Sequence, residues 1–261
     1  MKEDSLSPSA ITDNLETEFI GRKVIYYPRL ASTMDMARQE AQKGTAAGTV
    51  IITDEQTAGK GRLMRRWYTL KGNIALSIVL YPDRQFLSYL VMLASLAVVS
   101  SIETVTGLKT QIKWPNDVLV NGKKVCGILT ESSVVGNEVA YAIVGIGINV
   151  NLKLDDYPEL QSTATSLVNE LGEEVSRLGL IRCLLMEFER WYLALSAGDS
   201  VYLEWRERLV TLGRKVKVTS GNNILEGVAE SVAADGSLQL RQRDGSLTTI
   251  VAGDVTLREN G

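Results

Sequence analysis

The residues Gly59-Lys60-Gly61-Arg62-Leu63-Met64-Arg65-Arg66-Trp67 place four cations and an indole on a flexible backbone. They lie between two runs rich in β-branched side chains, Thr49 to Thr53 and Asn73 to Tyr81, so the loop should leave the edge of a sheet. Its chemistry is anion binding. Gly59 and Gly61 let the backbone approach a ligand, and Lys60, Arg62 and Arg65 offer charge-assisted hydrogen bonds to phosphate or carboxylate. Trp67 is placed to stack on a base or to close a pocket. A solvated surface loop with Trp67 anchored in the core would use the same residues. The spacing matches neither a Walker loop nor Gly-x-Gly-x-x-Gly.

A second group of polar residues sits in Gln111-Ile112-Lys113-Trp114-Pro115-Asn116-Asp117, followed by Val118-Leu119-Val120, Asn121-Gly122 and Lys123 to Thr130. Asn-Gly between two apolar runs predicts a tight hairpin. With Asn121 and Gly122 as the turn, Val120 faces Lys123, Leu119 faces Lys124, Val118 faces Val125 and Asp117 faces Cys126. Alternation then puts Asp117, Leu119, Lys124 and Cys126 on one face, with Lys123 on the other. Lys124 can therefore share a site with Asn116 and Asp117, whereas its neighbour Lys123 cannot. A surface ion pair decorating a hairpin would give the same pattern. Pro115 restricts the approach to Asn116 and Asp117, which favours the site. Gly145 and Gly147 interrupt an apolar strand, as happens where a ligand or a neighbouring group needs the space. Cys126, amid apolar neighbours, reads as a small core residue.

Composition narrows the chemistry. The 261 residues contain no histidine, which excludes Ser-His-Asp and Cys-His catalysis and the common zinc sites. Two cysteines, Cys126 and Cys183, suit a reducing cytoplasm. A formal net charge of -3 gives no general attraction to nucleic acid, so the local cations point to a small anionic ligand. No apolar run approaches a membrane span, since Leu87 to Val99 is interrupted by Ser88, Tyr89 and Ser95. Met1-Lys2-Glu3-Asp4 is not followed by a signal-peptide core. What remains is Lys, Arg, Asp, Asn and backbone groups, a set suited to activating a carboxylate with a nucleotide.

Periodicity supplies the elements that must position these residues. Residues 1 to 20 read as a short, loosely held helix docking through Ile11, Leu15, Phe19 and Ile20. Val24 to Tyr27 reads as a strand. Ser32 opens a helix, with Ser32 and Asp35 in a capping-box pattern, Met34, Ala37 and Ala41 at helical spacing, and Gly44 at its end. Phe86 to Val105 predicts a long buried helix, Glu138 to Asn151 a strand, and 173 to 210 two helices broken near Gly198. From Gly213 onward, short strands alternate with turns at Ser220-Gly221-Asn222, Asp235-Gly236 and Asp244-Gly245, the pattern of a small β-barrel. The expected organisation is an N-terminal extension (1–20), a catalytic domain (21–210) and a barrel (211–261).

Together these segments resemble the biotin protein ligase family. Ser32-Thr33, Gln56 to Trp67, Lys113 to Asp117, Lys124 to Leu129 and Gly145 to Asn149 match that family's segments in order, and five motifs in sequence are far more specific than any one. The resemblance implies an α+β fold: a mixed β-sheet flanked by helices, like the class II aminoacyl-tRNA synthetase core, with a C-terminal SH3-like barrel. It implies an ATP-dependent reaction in which biotin gives biotinyl-AMP and pyrophosphate, after which a lysine of a biotin carboxyl carrier protein takes the biotinyl group. Ser32, Thr33, Gln56, Lys60, Gly61, Gly127, Leu129, Gly145 and Gly147 then match biotin-contacting positions. Arg62 and Lys124 match contacts to both biotin and nucleotide, Arg65, Trp67, Asn116 and Asn149 nucleotide contacts, and Asp117 a position near the phosphates and Mg²⁺. Lys124, Arg62 and Asp117 would carry the catalysis.

Two positions depart from the family pattern: Lys60 stands where arginine is usual and Met34 where asparagine is usual. The family's repressor members carry a winged-helix domain before the catalytic one, and without such a segment no sequence-specific DNA binding or membrane association is expected. Homodimer formation is left open, because strand edges able to pair are not visible in a sequence. Two rivals remain, a lipoate or octanoate ligase with a related core and a non-enzymatic sensor of biotin or nucleotide. The Gly-x-Gly-Arg loop and the C-terminal barrel favour biotin.

Overall fold

The computed structural model describes residues 5–154, 157, 161–221 and 223–257. Met1 to Asp4 and Asn222, the third residue of one expected turn, lie outside the described residues. A short helix α1 (Pro8–Thr12) precedes β1 (Val24–Leu30), α2 (Thr33–Gln42), β2 (Val50–Gln56) and β3 (Ile74–Leu80). Then follow α3 (Leu90–Thr106), β4 (Thr110–Lys113), β5 (Asp117–Val120), β6 (Lys123–Val135) and β7 (Glu138–Ile148). These seven strands form one sheet in the order β1-β2-β3-β7-β6-β5-β4, in which only β1 and β2 run parallel. The fold is the expected α+β arrangement, a mixed sheet flanked by helices. The strand β4 was not foreseen, being four residues long with alternating burial.

Strand alternation divides the side chains between two layers. Ile51, Val79 and Ile143 face α2, which buries Met34, Ala37 and Ala41 against them. Val50, Ile52, Ile78, Leu80 and Val144 point the other way, into a larger core with α3. Against α3 pack α5 (Arg177–Ser196) and α6 (Val201–Glu207), which follow a short α4 (Leu167–Leu171). The segment Arg84–Thr106, a 3-10 turn followed by α3, is apolar and long enough to cross a membrane by length and composition, contrary to the count of uninterrupted apolar residues. Most of it is buried inside the protein, however, as a core helix packed against the sheet.

The C-terminal strands β8 (Lys215–Ser220), β9 (Asn223–Val232), β10 (Leu238–Gln242), β11 (Leu247–Ile250) and β12 (Asp254–Leu257) form a five-stranded antiparallel sheet ordered β11-β10-β9-β8-β12. Trp114 ties it to the larger sheet. Its backbone N–H donates to Thr211 Oγ1 at 2.9 Å, and its buried indole N–H donates to Gly236 O at 2.8 Å. The Trp114-Pro115 peptide is cis.

The N-terminal segment is held more firmly than its polarity suggests. Leu6, Ile11, Leu15 and Ile20 are all buried, and the carboxylate of Glu189 on α5 accepts hydrogen bonds from the backbone N–H groups of Glu18, Phe19 and Ile20 at 2.6–2.9 Å. Arg182 also donates to Ala10 O. A carboxylate about 170 residues downstream leaves no local sequence signal, which is why the sequence suggests a loose segment. Replacing Glu189 with Ala strands three partly or fully buried donors, each worth about 1–3 kcal/mol when left unpaired. Partial rehydration should reduce the total, so we expect Glu189→Ala to lower unfolding stability by roughly 2–4 kcal/mol in urea denaturation. A loss below about 0.5 kcal/mol, the scatter of ordinary surface substitutions, would show that the clamp is dispensable.

Candidate active site

The turn predicted from Asn121-Gly122 forms as expected, with positive φ at both residues, 49° and 78°. Val120 faces Lys123 and Leu119 faces Lys124, but beyond them the register slips by one: Val118 faces Cys126 and Asp117 faces Gly127. Val125 is the extra residue, so β6 carries a bulge there. This corrects the expected face. Asp117, Leu119 and Lys124 share it, but Gly127 takes the place assigned to Cys126, which is buried with Val118 in the core. Burial pushes the Cys126 thiol well above its ordinary pKa, with Lys124 pulling it weakly down, so it is an inert core residue. Lys124 Nζ lies 2.5 Å from Asp117 Oδ1, and Lys123 is exposed.

The sheet register aligns a row of directly paired residues across five strands: Lys113, Asp117, Gly127, Gly147 and Ala75. The adjacent row on the same face holds Leu129, Gly145 and Ser77. The first row is charged at one end and nearly without side chains in its middle. A Cβ at Gly147 would stand 2.4 Å from the Trp67 indole, and one at Gly145 would stand 2.5 Å from Met34 Sδ. The glycines thus make room for side chains that themselves line the cavity, so close packing and a site coincide.

Above these rows the cationic loop folds back as a small hairpin. Gly61 N–H donates to Arg65 O at 2.8 Å and Trp67 N–H to Gly59 O at 2.9 Å, with a 3-10 turn Arg62–Met64 at the tip. Gly59 is required here, because a Cβ would lie 2.4 Å from Trp67 O. Arg62 donates to Asn116 Oδ1 at 3.0 Å, and Asn116 is itself fixed to β6 through Ile128 O at 2.7 Å. Desolvation pulls the Arg62 pKa down, while Asp254 and Asp117 pull it up, and a guanidinium stays charged under such a balance. Arg65 pairs with Asp254 of β12 at 2.5 Å. Lys60 turns outward and pairs with Asp35 of α2 at 2.5 Å. The Trp67 indole lies over Gly127 and Gly147, with Lys124 Nζ 5.4 Å from a ring centroid.

At the opposite end, Gln56 joins β2 to α2. Its Oε1 accepts from Thr33 N–H at 2.8 Å and from Thr33 Oγ1 at 3.2 Å, and its Nε2 donates to Thr69 Oγ1 at 2.9 Å. Ser77 Oγ donates to Thr33 Oγ1 at 2.9 Å. The Ser32–Asp35 capping box does not form: Ser32 sits at the N-cap without a side-chain cap bond, and Asp35 is taken up by Arg38 and Lys60. Buried Ser32 Oγ has no hydrogen-bond partner among the described residues.

A cavity of about 680 Å³ connects both ends. Thr33, Gln56, Lys60, Gly61, Arg62, Arg65, Trp67, Asn116, Asp117, Lys124, Gly127, Leu129, Gly145, Gly147 and Asn149 all line it. Ser32 alone of the expected site residues does not. Asn149 is mostly committed to structure, since its Nδ2 donates to Thr165 O at 3.0 Å. That bond helps hold the 163–165 segment, which pairs with both sides of the Lys124 backbone at 2.8–3.0 Å. Sequence reasoning missed three contributors: Lys113, whose Nζ lies 3.3 Å from Asp117 Oδ2, Asp254 from the C-terminal sheet, and the 163–165 segment. Lys113 stood inside a quoted motif and could have been weighed, because a residue next to a turn pairs across it. The other two join the site only through tertiary packing.

No cluster of three or more metal-ligating side chains occurs among the described residues. Asp117 has one oxygen tightly paired and the other only loosely, so it fits a magnesium ion that arrives on phosphate and takes one protein carboxylate.

Residues 26–149 match the Biotin/lipoate A/B protein ligase family, and residues 211–258 match the Biotin protein ligase C terminal domain. The bifunctional ligase/repressor BirA of Bacillus subtilis is 38% identical over 98% of this chain and 80% of its own length. The biotin–[acetyl-CoA-carboxylase] ligase of Mycobacterium tuberculosis is 30% identical over 97% of both chains. Among solved structures, a biotin protein ligase from Aquifex aeolicus in complex with biotin and ATP superposes with a TM-score of 0.78 at 26% identity, covering 92% of this chain and 100% of that one. Given relatives that match along nearly its whole length and a fold shared with a solved ligase, the chain belongs to the biotin/lipoate A/B protein ligase family.

Proposed function

We propose that this chain is an ATP-dependent biotin protein ligase that forms biotinyl-5′-AMP and transfers the biotinyl group to a lysine of a biotin carboxyl carrier protein. The observation that carries the reading is the cavity itself. One space of about 680 Å³ has a neutral polar network at one end and Lys124, Lys113 and Arg62 at the other. It is large enough for a head group and a nucleotide together. Support for biotin over lipoate or octanoate comes from the network of Thr33, Gln56, Ser77 and Thr69, which suits a polar ureido head rather than a dithiolane or an alkyl end.

In this reading the biotin carboxylate attacks the α-phosphorus of ATP, a P–O bond forms, and pyrophosphate leaves with the electrons of the broken P–O bond. Two anions must meet, and the barrier is largely their repulsion. Lys124 lowers it by standing between carboxylate and α-phosphate, and Asp117 holds the ammonium in place. Arg62 and Arg65 exchange their bonds to Asn116 and Asp254 for phosphate oxygens as the hairpin closes. Asp117 would hold Mg²⁺ alongside the nucleotide phosphates, where the ion neutralises developing charge. In the second step the carrier's lysine nitrogen attacks the acyl carbonyl, AMP leaves, and the amine loses its proton to solvent. The buried Cys126 takes no part. ATP as substrate and two unpaired cysteines fit a cytoplasmic protein.

The deciding assay is ATP-dependent transfer of labelled biotin, with lipoate and octanoate in parallel, to an isolated carrier domain. Biotin alone should be transferred, with pyrophosphate released. Binding without pyrophosphate release would identify a sensor, and preferential transfer of lipoate would overturn the choice of substrate.

Two substitutions probe the assignments. Lys124→Ala should slow adenylate formation by about 10² to 10³, the usual cost of removing one charge-stabilising donor, whereas exposed Lys123→Ala should be near wild type. Equal losses at both positions would contradict the site's geometry. Trp67→Ala removes the aromatic surface over Gly127 and Gly147 and should raise the KM for ATP by roughly tenfold, more than the KM for biotin. A larger effect on biotin would make Trp67 a wall of the head-group end.

A further inference from the structure

Four side chains form an alternating line of charge on the outside of the site: Lys60, Asp35, Arg38 and Glu131. Lys60 Nζ meets Asp35 Oδ1 at 2.5 Å, the same oxygen accepts from Arg38 at 2.9 Å, and Arg38 also bonds Glu131 of β6. Asp35 lies in the first turn of α2, where a carboxylate commonly caps the helix or offsets its dipole. Here its partners are two side chains, Arg38 of the same helix and Lys60 of the hairpin. Ser32 makes no side-chain cap bond, and the Asp35 carboxylate instead bridges α2 to the root of the cationic hairpin.

That bridge spans the head-group end of the cavity. On one side, Thr33 follows Ser32 at the start of α2, with Gln56 bonded to it; on the other stand Gly59, Lys60 and Gly61, the first residues of the hairpin. The far arm of the hairpin is fastened separately, by Arg65 to Asp254 and Arg62 to Asn116. The hairpin is thus fastened on both sides, to α2 through Lys60 and to β12 and Asn116 through Arg65 and Arg62. Arg38 and Glu131 hold Asp35 from behind, so that its carboxylate stays aimed at Lys60.

We propose that Asp35 is a positioning residue for the acyl head group: by latching Lys60 it holds the hairpin root against α2 and presets the head-group end before ligand arrives. The inference rests on the ligase reading for its substrate but concerns a contact within the free protein. Both partners are partly exposed, with side chains 41% and 33% accessible, so the latch is salt-sensitive and modest in strength. It acts on binding and leaves the chemical step, which Lys124 governs, alone.

The test compares wild type, Asp35→Asn and Asp35→Glu in biotin adenylation kinetics, with amide hydrogen exchange across residues 59–67 in the ligand-free protein. Asp35→Asn should raise the KM for biotin about three- to fivefold, with kcat and the KM for ATP changed by less than about twofold, as expected for an exposed ion pair within a network. It should also speed exchange across 59–67 and weaken the salt dependence of the biotin KM. Asp35→Glu should recover most of the wild-type behaviour. Added to Asp35→Asn, Lys60→Met should raise the biotin KM no further. An unchanged biotin KM or unchanged exchange overturns the proposal, as does a loss of melting temperature with no change in KM, which would leave Asp35 a helix residue only. If wild type forms no biotinyl-AMP, the ligase reading fails instead, and the exchange result still judges the latch.

Discussion

The arrangement depends on one extra residue. Without the bulge at Val125, strict alternation would place Lys124 and Cys126 on the same face and turn Gly127 into the core. The bulge resets the parity, so that a lysine and, three residues later, a glycine both face the cavity, while Val125 and Cys126 are both buried. Backbone groups released by the irregularity are not left unpaired. Val125 O accepts from Asn149 N–H at 2.9 Å, and the Lys124 N–H and C=O are bonded by Thr163 and Thr165. The Lys124 ammonium is thus held from below by a backbone paired on both sides of the bulge and from the front by Asp117.

From that position the charge distribution of the site follows. Asp117 pairs with both Lys124 and Lys113, Asn116 occupies Arg62, and Asp254 occupies Arg65. Each cation assigned to the proposed reaction has a side-chain partner within the protein, which offsets part of the cost of standing in a half-buried cleft. The partners differ in kind. Asn116 is neutral and bonded to β6, so in the proposed reaction a phosphate would compete easily for Arg62. Asp117 is a carboxylate and would keep Lys124 in place as phosphate arrived in the proposed reaction, because an ammonium has three donors and can serve both.

What the sequence made legible was local. Asn121-Gly122 announced its hairpin, the apolar periodicity announced α2 and α3, and the dense cationic loop announced an anion site. The register beyond Leu119 was not legible, because nothing in Lys124-Val125-Cys126-Gly127 marks Val125 as the bulged residue; its reason lies in the 163–165 segment, some forty residues on. Asp35 was misread for the opposite reason. Its spacing from Ser32 fits a cap so well that only the arrival of Lys60 from another loop reveals the competing partner. Glu189 and Asp254 belong to the same class, charges whose partners are brought to them by tertiary folding.

The middle of the site is defined by side chains that are missing. Gly127 and Gly147 are directly paired across β6 and β7, and Gly145 is paired with Leu129. Glycine weakens a strand interior, since it contributes no packing and loses more backbone freedom on folding. The sheet tolerates three such residues because their opposite faces are buried through Cys126, Ile128, Val144, Ile146 and Ile148, all in the core beneath. The neighbouring residues therefore carry the stability of these strands, and the glycines are free to set the shape of the cavity. Trp67 rests in that space and covers the apolar floor between the head-group end and the cations. An indole has a second face, so the residue that fills the floor in the free protein also offers a surface on which a base can stack.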